Sequence, residues 1–183
     1  MTTPITIAAV VGSLRADSFS RAAFRATARL CPHIEWVEAE TAGVPLYNQD
    51  VEDLGDPDAV AALKRTVNSA DALVFFTPEY NRSIPAVTKN AVDWLSRPYG
   101  SAPISGKSVG IVATVPGRHL GEGVRGHLTE SVSALTDGVF DPSLAINSIT
   151  HRMDGGEITD EEALTDLGSW LTDFAEYVRG RDS

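Results

Sequence analysis

Apolar runs and amphipathic stretches alternate along this chain almost without interruption. Ile5 to Val11 is continuously apolar and reads as a buried strand. Phe19 to Leu30 places apolar residues at 19, 22, 23, 26 and 30 and reads as a helix. Ile34 to Glu38 alternates like a half-buried or edge strand. A polar loop marked by Pro and Gly runs from Thr41 to Pro57. Asp58 to Ser69 then carries Val60, Leu63 and Val67 on one helical face. Asp71 to Phe76 predicts a strand, and Ser83 to Leu95 a helix with Pro85 near its start, where proline is tolerated. The series continues with a strand over Lys107 to Thr114, a helix over Val124 to Leu135 and a weaker strand within Phe140 to Ile149. A long helix over Thr159 to Arg179 closes it, opened by the capping pair Thr159 and Glu162. This alternation predicts an α/β fold, a doubly wound five-stranded parallel sheet with helices on both faces. Five strands are too few for an eight-stranded barrel, and the strand order 2-1-3-4-5 fits the count. No linker-like composition breaks the pattern, so one domain over residues 1–183 is expected.

Composition narrows the partners. The chain is 43% apolar but only 7% aromatic, so its core should be mostly aliphatic. A formal net charge of −10 repels phosphate backbones and argues against nucleic acid. An anionic small ligand then needs a local arginine and backbone amides to oppose that field. Cys31 is the one cysteine, so no intrachain disulfide can form and a reducing, cytoplasmic location is expected. Ile5 to Val11 is too short to span a bilayer and lacks the flanks of a signal peptide, so no membrane role is expected. His33, His119, His127 and His151 form neither HxxxH nor HExxH, and no metal site is expected.

Two polar loops follow strands that should be neighbours. Gly12-Ser13-Leu14-Arg15-Ala16-Asp17-Ser18-Phe19-Ser20 offers hydroxyls at 13, 18 and 20, a guanidinium at 15 and a helix N-terminus. Those are donors suited to a phosphate monoester. The segment is neither a Walker A loop nor GxGxxG. Taken alone, it reads equally well as a capped helix start with a solvated Arg15. Thr77-Pro78-Glu79-Tyr80-Asn81-Arg82-Ser83-Ile84-Pro85 forms a second loop at the carboxyl end of a strand, where open α/β sheets bind ligands. Its bland alternatives are a surface-packed Tyr80 and a solvated Glu79.

Together these loops resemble the NADPH-dependent FMN reductase family, a flavodoxin-like group that includes quinone, chromate and azo-dye reductases. The resemblance rests on Gly12-Ser13-Leu14-Arg15 with Ser18, and on Thr77-Pro78-Glu79-Tyr80-Asn81 followed by Pro85 and residues Lys89 to Pro98. Val44-Pro45-Leu46-Tyr47-Asn48-Gln49-Asp50 adds to it. It implies one non-covalent FMN, with Ser13, Arg15, Ser18 and Ser20 around the phosphate and Phe19 lining that loop. It implies Pro78, Glu79, Tyr80 and Asn81 along the isoalloxazine, largely through backbone amides. Thr114, Pro116 and Gly117 join them as candidate cofactor-binding residues from the third loop. That loop, Val115 to Arg125, departs from the family's Ser/Gly-rich turn by carrying Pro116, Arg118 and His119.

The implied chemistry is hydride transfer from NADPH or NADH to flavin N5, then one or two electrons to a quinone, free flavin, azo compound or metal oxyanion, in ping-pong order. No catalytic side chain is required. Arg118 and His119 are candidates to attract the NADPH phosphates or polarise a quinone oxygen, with a solvated loop as the plain alternative. The rival reading is a flavodoxin-like binding or regulatory protein without turnover. Val87, Ala91, Val92, Trp94 and Leu95 form an apolar face wider than one stripe. Part of that face, with Trp94, is expected to build a dimer wall, and the resemblance likewise implies a homodimer or homotetramer.

Overall fold

Strands β1 (Ile5–Val11), β3 (Ala72–Pro78) and β4 (Ser108–Thr114) read as unbroken apolar runs because both of their faces are covered. The computed structural model describes residues 4–181. With β2 (Ile34–Glu38) and β5 (Leu144–Ile146) these strands form one sheet, every pair parallel, in the order β2-β1-β3-β4-β5. The expected doubly wound α/β architecture is thus present. Alternate side chains feed two separate cores. Ile5, Ile7 and Ala9 with Ala72, Val74 and Phe76 pack against α1 (Phe19–Leu30) and α6 (Glu161–Arg181). Ala8, Val10, Leu73 and Phe75 pack against α3 (Asp58–Ser69), α4 (Ala86–Leu95) and α5 (Glu122–Ser133).

Helix α5 lies two residues earlier than expected, β3 runs on to Pro78, and three further boundaries move for identifiable reasons. Helix α4 begins at Ala86 rather than Ser83, because the Ser83 N–H closes a reverse turn onto the Tyr80 carbonyl. Helix α6 is capped by Asp160, whose Oδ1 accepts from the Ala163 N–H at 2.9 Å and from Arg152 at 2.7 Å. The Thr159/Glu162 capping pair is therefore displaced by one residue, and Glu162 instead meets Arg152 at 3.1 Å. The last strand shrinks to Leu144–Ile146, with Val139 touching Val109 only through an isolated bridge. The sequence reading passes over the short helix α2 (Gln49–Glu52) and a two-stranded hairpin, β6 (Met153–Asp154) and β7 (Glu157–Ile158).

The expected dimer wall needs a larger correction. Trp94 is fully buried within the subunit, and Ala91, Val92 and Leu95 are buried beside it. The Trp94 Nε1–H donates to the Pro45 carbonyl at 2.8 Å, and its ring meets Tyr47 edge-on. The wide stripe of α4 is broad because it covers the sheet on one side and the loop of residues 44–48 on the other.

Cys31 closes α1 and is buried, as expected of a core thiol, and burial pushes its pKa up. It should therefore react with a disulfide reagent at pH 8 much more slowly in the native protein than in urea. Equal rates in the two states would contradict its placement.

Candidate functional site

The carboxyl ends of β1, β3 and β4 carry the three loops that matter. The loop after β1 leaves the sheet at Gly12, which sits so close to α4 that an added Cβ would lie 2.1 Å from Thr88 Oγ1 and 2.9 Å from Thr77 Oγ1. Those hydroxyls bond each other at 2.9 Å. Glycine is thus the residue that lets the loop turn over the start of α4. Ser18 then caps α1, accepting from the Arg21 N–H at 3.1 Å. The N–H groups of Ser13, Leu14, Phe19 and Ser20 have no acceptor among the described residues. Arg15 is exposed, and no carboxylate pairs with it among the described residues. A helix N-terminus, spare amides and an unpaired guanidinium in one loop suit an anion.

The loop after β3 is a tight turn. Tyr80 and Ser83 exchange backbone hydrogen bonds at 3.2 and 2.9 Å, and the central residues Asn81 and Arg82 take φ of 50° and 62°. Left-handed backbone suits asparagine but is costly for arginine, so the turn needs outside support. Helix α5 supplies it. An added Cβ at Gly123 would lie 2.0 Å from the Arg82 carbonyl oxygen, so only glycine lets the helix press on the turn. Glu79 Oε2 accepts from the Val124 N–H at 3.1 Å and thereby caps α5, which has no side-chain cap of its own. Ser83 Oγ bonds His127 Nδ1 at 3.0 Å.

Between the loops lies a cavity of about 130 Å³ lined by Ser13, Arg15, Ser18, Phe19, Ser20, Pro78, Glu79, Tyr80 and Pro116. A more open trench beside it is walled by Leu14, Tyr80, Ala86 and Val87. Asn81 stands next to Tyr80 in the turn, and Gly117 follows Pro116 at the rim. Thr114 lies beneath the cavity, where its hydroxyl and that of Ser20 bond each other at 2.9 Å, both fully buried. Ser20 keeps its N–H for a ligand, and its O–H as well when Thr114 is the donor of that pair. Arg125 faces away, donating to the Leu120 and Ser143 carbonyls and so closing the third loop. No group of three or more metal-ligating side chains occurs among the described residues.

Two motifs escape the sequence reading, and the structure shows why neither carries its usual chemistry. Gly106-Lys107-Ser108-Val109-Gly110 has hydrolase-elbow spacing, but Ser108 enters β4 at the opposite end of the sheet and is buried. Gly121-Glu122-Gly123-Val124-Arg125-Gly126 has dinucleotide-fingerprint spacing and opens α5. That N-terminus already holds the Glu79 carboxylate, and Glu122, its pKa lowered chiefly by the backbone N–H groups there, adds a second negative charge against any phosphate. Sequence reasoning also missed Glu79 as a cap, because a cap from another element leaves no local spacing to read.

The comparisons with known proteins bear on the same two loops. The family model for NADPH-dependent FMN reductase matches residues 5–150, which spans both. A 2-hydroxy-1,4-benzoquinone reductase of Burkholderia sp is 38% identical over 179 residues, covering 96% of this chain and 97% of that protein. An NAD(P)H-dependent FMN reductase of Pseudomonas aeruginosa is 37% identical over 182 residues, covering 98% of each. Among solved structures, FerB of Paracoccus denitrificans, a flavoenzyme NAD(P)H:(acceptor) oxidoreductase, superposes with a TM-score of 0.87 at 29% identity, covering 97% of this chain and 98% of that one. With the whole sheet, both loops and nearly the full length aligned to such relatives, the chain belongs to the NADPH-dependent FMN reductase family.

Proposed function

We propose that this chain holds one FMN without a covalent bond and passes reducing equivalents from NAD(P)H to a small acceptor, a quinone first among them, in ping-pong order. The observation that supports this best is the convergence of two donor-rich loops on one cavity. The donor set fits the group. The FMN phosphate is an anion that accepts hydrogen bonds, and the pyrimidine side of the ring presents carbonyls and ring nitrogens. Ser13, Arg15, Ser18 and the N–H groups of Phe19 and Ser20 are assigned to the phosphate. Pro78, Glu79, Tyr80 and Asn81, with Pro116 and Gly117 from the third loop, are assigned to the ring side, while Thr114, fully buried at the end of β4 with its hydroxyl on Ser20, supports the cavity from beneath rather than touching the ligand.

When bound, FMN supplies two-electron acceptance from a nicotinamide and one- or two-electron donation onward, chemistry that asks no protein acid of the chain. The residues bind and orient. Arg15 and the α1 N-terminus offset a net charge of −10 at the one place an anion must sit. The N–H groups of Tyr80 and Ser83 bond within the turn, which leaves those of Asn81 and Arg82 to face a ligand, and Tyr80, half exposed, stands at the mouth. The relatives named for a benzoquinone and for FMN favour the quinone class over azo compounds and metal oxyanions. No helix among the described residues is long and apolar enough to cross a membrane. A cytoplasmic, single-domain protein acting as a homodimer or homotetramer completes the reading. Leu14, Leu46 and Val87 are apolar positions still open to a partner.

The purified protein reconstituted with FMN should show flavin absorbance, bleach anaerobically with NADPH and recover on addition of benzoquinone. Initial rates should give parallel double-reciprocal lines. A protein that binds no FMN overturns the reading. Arg15→Ala should weaken FMN binding by roughly tenfold in a fluorescence titration, the size of one exposed charge-assisted bond. Unchanged affinity would contradict the phosphate assignment.

A further inference from the structure

The third loop departs from the family pattern at His119, and that residue contacts the turn assigned to the flavin ring. The Glu79 side chain is only 4% exposed, although it carries a carboxylate. A buried carboxylate needs partners on both oxygens. Oε2 has the Val124 N–H. Oε1 faces His119 Nδ1 at 3.5 Å, an ion-pair distance rather than a hydrogen bond. The imidazole is held there by its own loop. Gly117 leaves room for it, since a Cβ at 117 would meet His119 Cδ2 at 3.1 Å. The Gly121 N–H also points at Nδ1, at 3.3 Å. The same nitrogen thus has two partners that want opposite things. Unprotonated, it accepts from Gly121; protonated, it faces the Glu79 carboxylate as a cation.

We infer that His119 is a positioning residue for the flavin. Its protonated imidazole secures Glu79, and Glu79 secures the 79–82 turn whose amides are assigned to the ring. This rests on the function proposed above. The other charged groups around His119 are Glu122 on α5 and Arg82 in the turn, with Arg118 next to it in the chain. His127 acts on the same turn through Ser83, but a hydroxyl serves an imidazole in either protonation state. The pH response is therefore assigned to His119. Histidine side chains change charge between about pH 5 and 8. A firmer turn means less ordering on binding and tighter retention, so affinity should fall as pH rises through that range.

The test is FMN affinity of the apoprotein by fluorescence quenching at about pH 5.5 and pH 8, for wild type, His119→Gln, Glu79→Gln and the double variant. The FMN phosphate titrates in the same range, but it is common to all four proteins and cancels in their ratios. His119→Gln should bind roughly three- to tenfold more weakly at the lower pH and nearly equally at the higher, the size of a partly exposed ion pair. Glu79→Gln should remove the same pH-dependent component, and the double variant should lose no more of it. A wild-type to His119→Gln ratio that does not change with pH overturns the inference while leaving FMN binding intact. A wild-type protein that binds no FMN at either pH removes the inference together with the function it rests on. Circular dichroism of each apoprotein establishes that the variants are folded.

Discussion

Gly123→Ala should weaken FMN binding by about a hundredfold and leave the protein folded. The new Cβ would stand 2.0 Å from the Arg82 carbonyl oxygen and 2.7 Å from its carbon. Backbone cannot rotate aside as a side-chain tip can, so either the turn or the first turn of α5 must move by an ångström or more. The turn is the weaker partner. Asn81 and Arg82 already sit in left-handed backbone, and only α5 and one pair of backbone hydrogen bonds hold them. Displacing by about 1 Å the amides proposed to face the ring is enough for an effect of that size. The helix itself gains from the change, because alanine is about 1 kcal/mol better than glycine in a helix interior. Gly126→Ala is the control. It lies on the same helix with nothing within 4 Å of its added Cβ, so it should keep native affinity. Fluorescence titration of FMN into the two apoproteins decides the matter. Equal affinities would mean that the turn does not touch the ring.

This contrast shows where the sequence is legible and where it is not. The sheet could be read because each buried strand is a continuous apolar run and each helix repeats at a helical period. Both are local signals, and the 2-1-3-4-5 order, which the strand count fits, is the one the strand pairing shows. The donor-rich loop proposed for the phosphate could be picked out because its donors lie within nine consecutive residues, Gly12 to Ser20. What could not be read is made by pairs distant in the chain. Ser20 and Thr114 are 94 positions apart and share one hydroxyl–hydroxyl hydrogen bond. Glu79 caps a helix that begins 43 residues later, and its carboxylate, taken from sequence as a group in or near the binding loop, is spent holding that loop in place. The same blindness explains α4. Its amphipathic face was visible, but the loop folded over Trp94 was not, so the surplus apolar width looked like a surface for another subunit.

Trp94→Ala should therefore destabilise the fold by about 3–5 kcal/mol, the range for removing a large buried aromatic. For a chain of this size that corresponds to a fall of roughly 10 °C in Tm. The indole is fully buried, packs edge-on against Tyr47 at 5.1 Å between ring centres and lies 5.4 Å under Lys64 Nζ. Lys64 is itself buried and paired to Asp56 at 2.7 Å, so removing the ring strips one face from a desolvated ammonium. The Pro45 carbonyl keeps a second donor in Asn90 at 2.9 Å, so the loop of residues 44–48 loosens rather than losing every tie to α4. The loss should be the same at low and high protein concentration, measured by thermal and urea denaturation alongside sedimentation. A dimer-face tryptophan predicts the opposite pattern: a shift in assembly state, and a Tm that recovers as concentration rises. Concentration-independent destabilisation would place the width of α4 inside the subunit, and leave any partner to meet the exposed Leu14 and Leu46 at the edge of the trench.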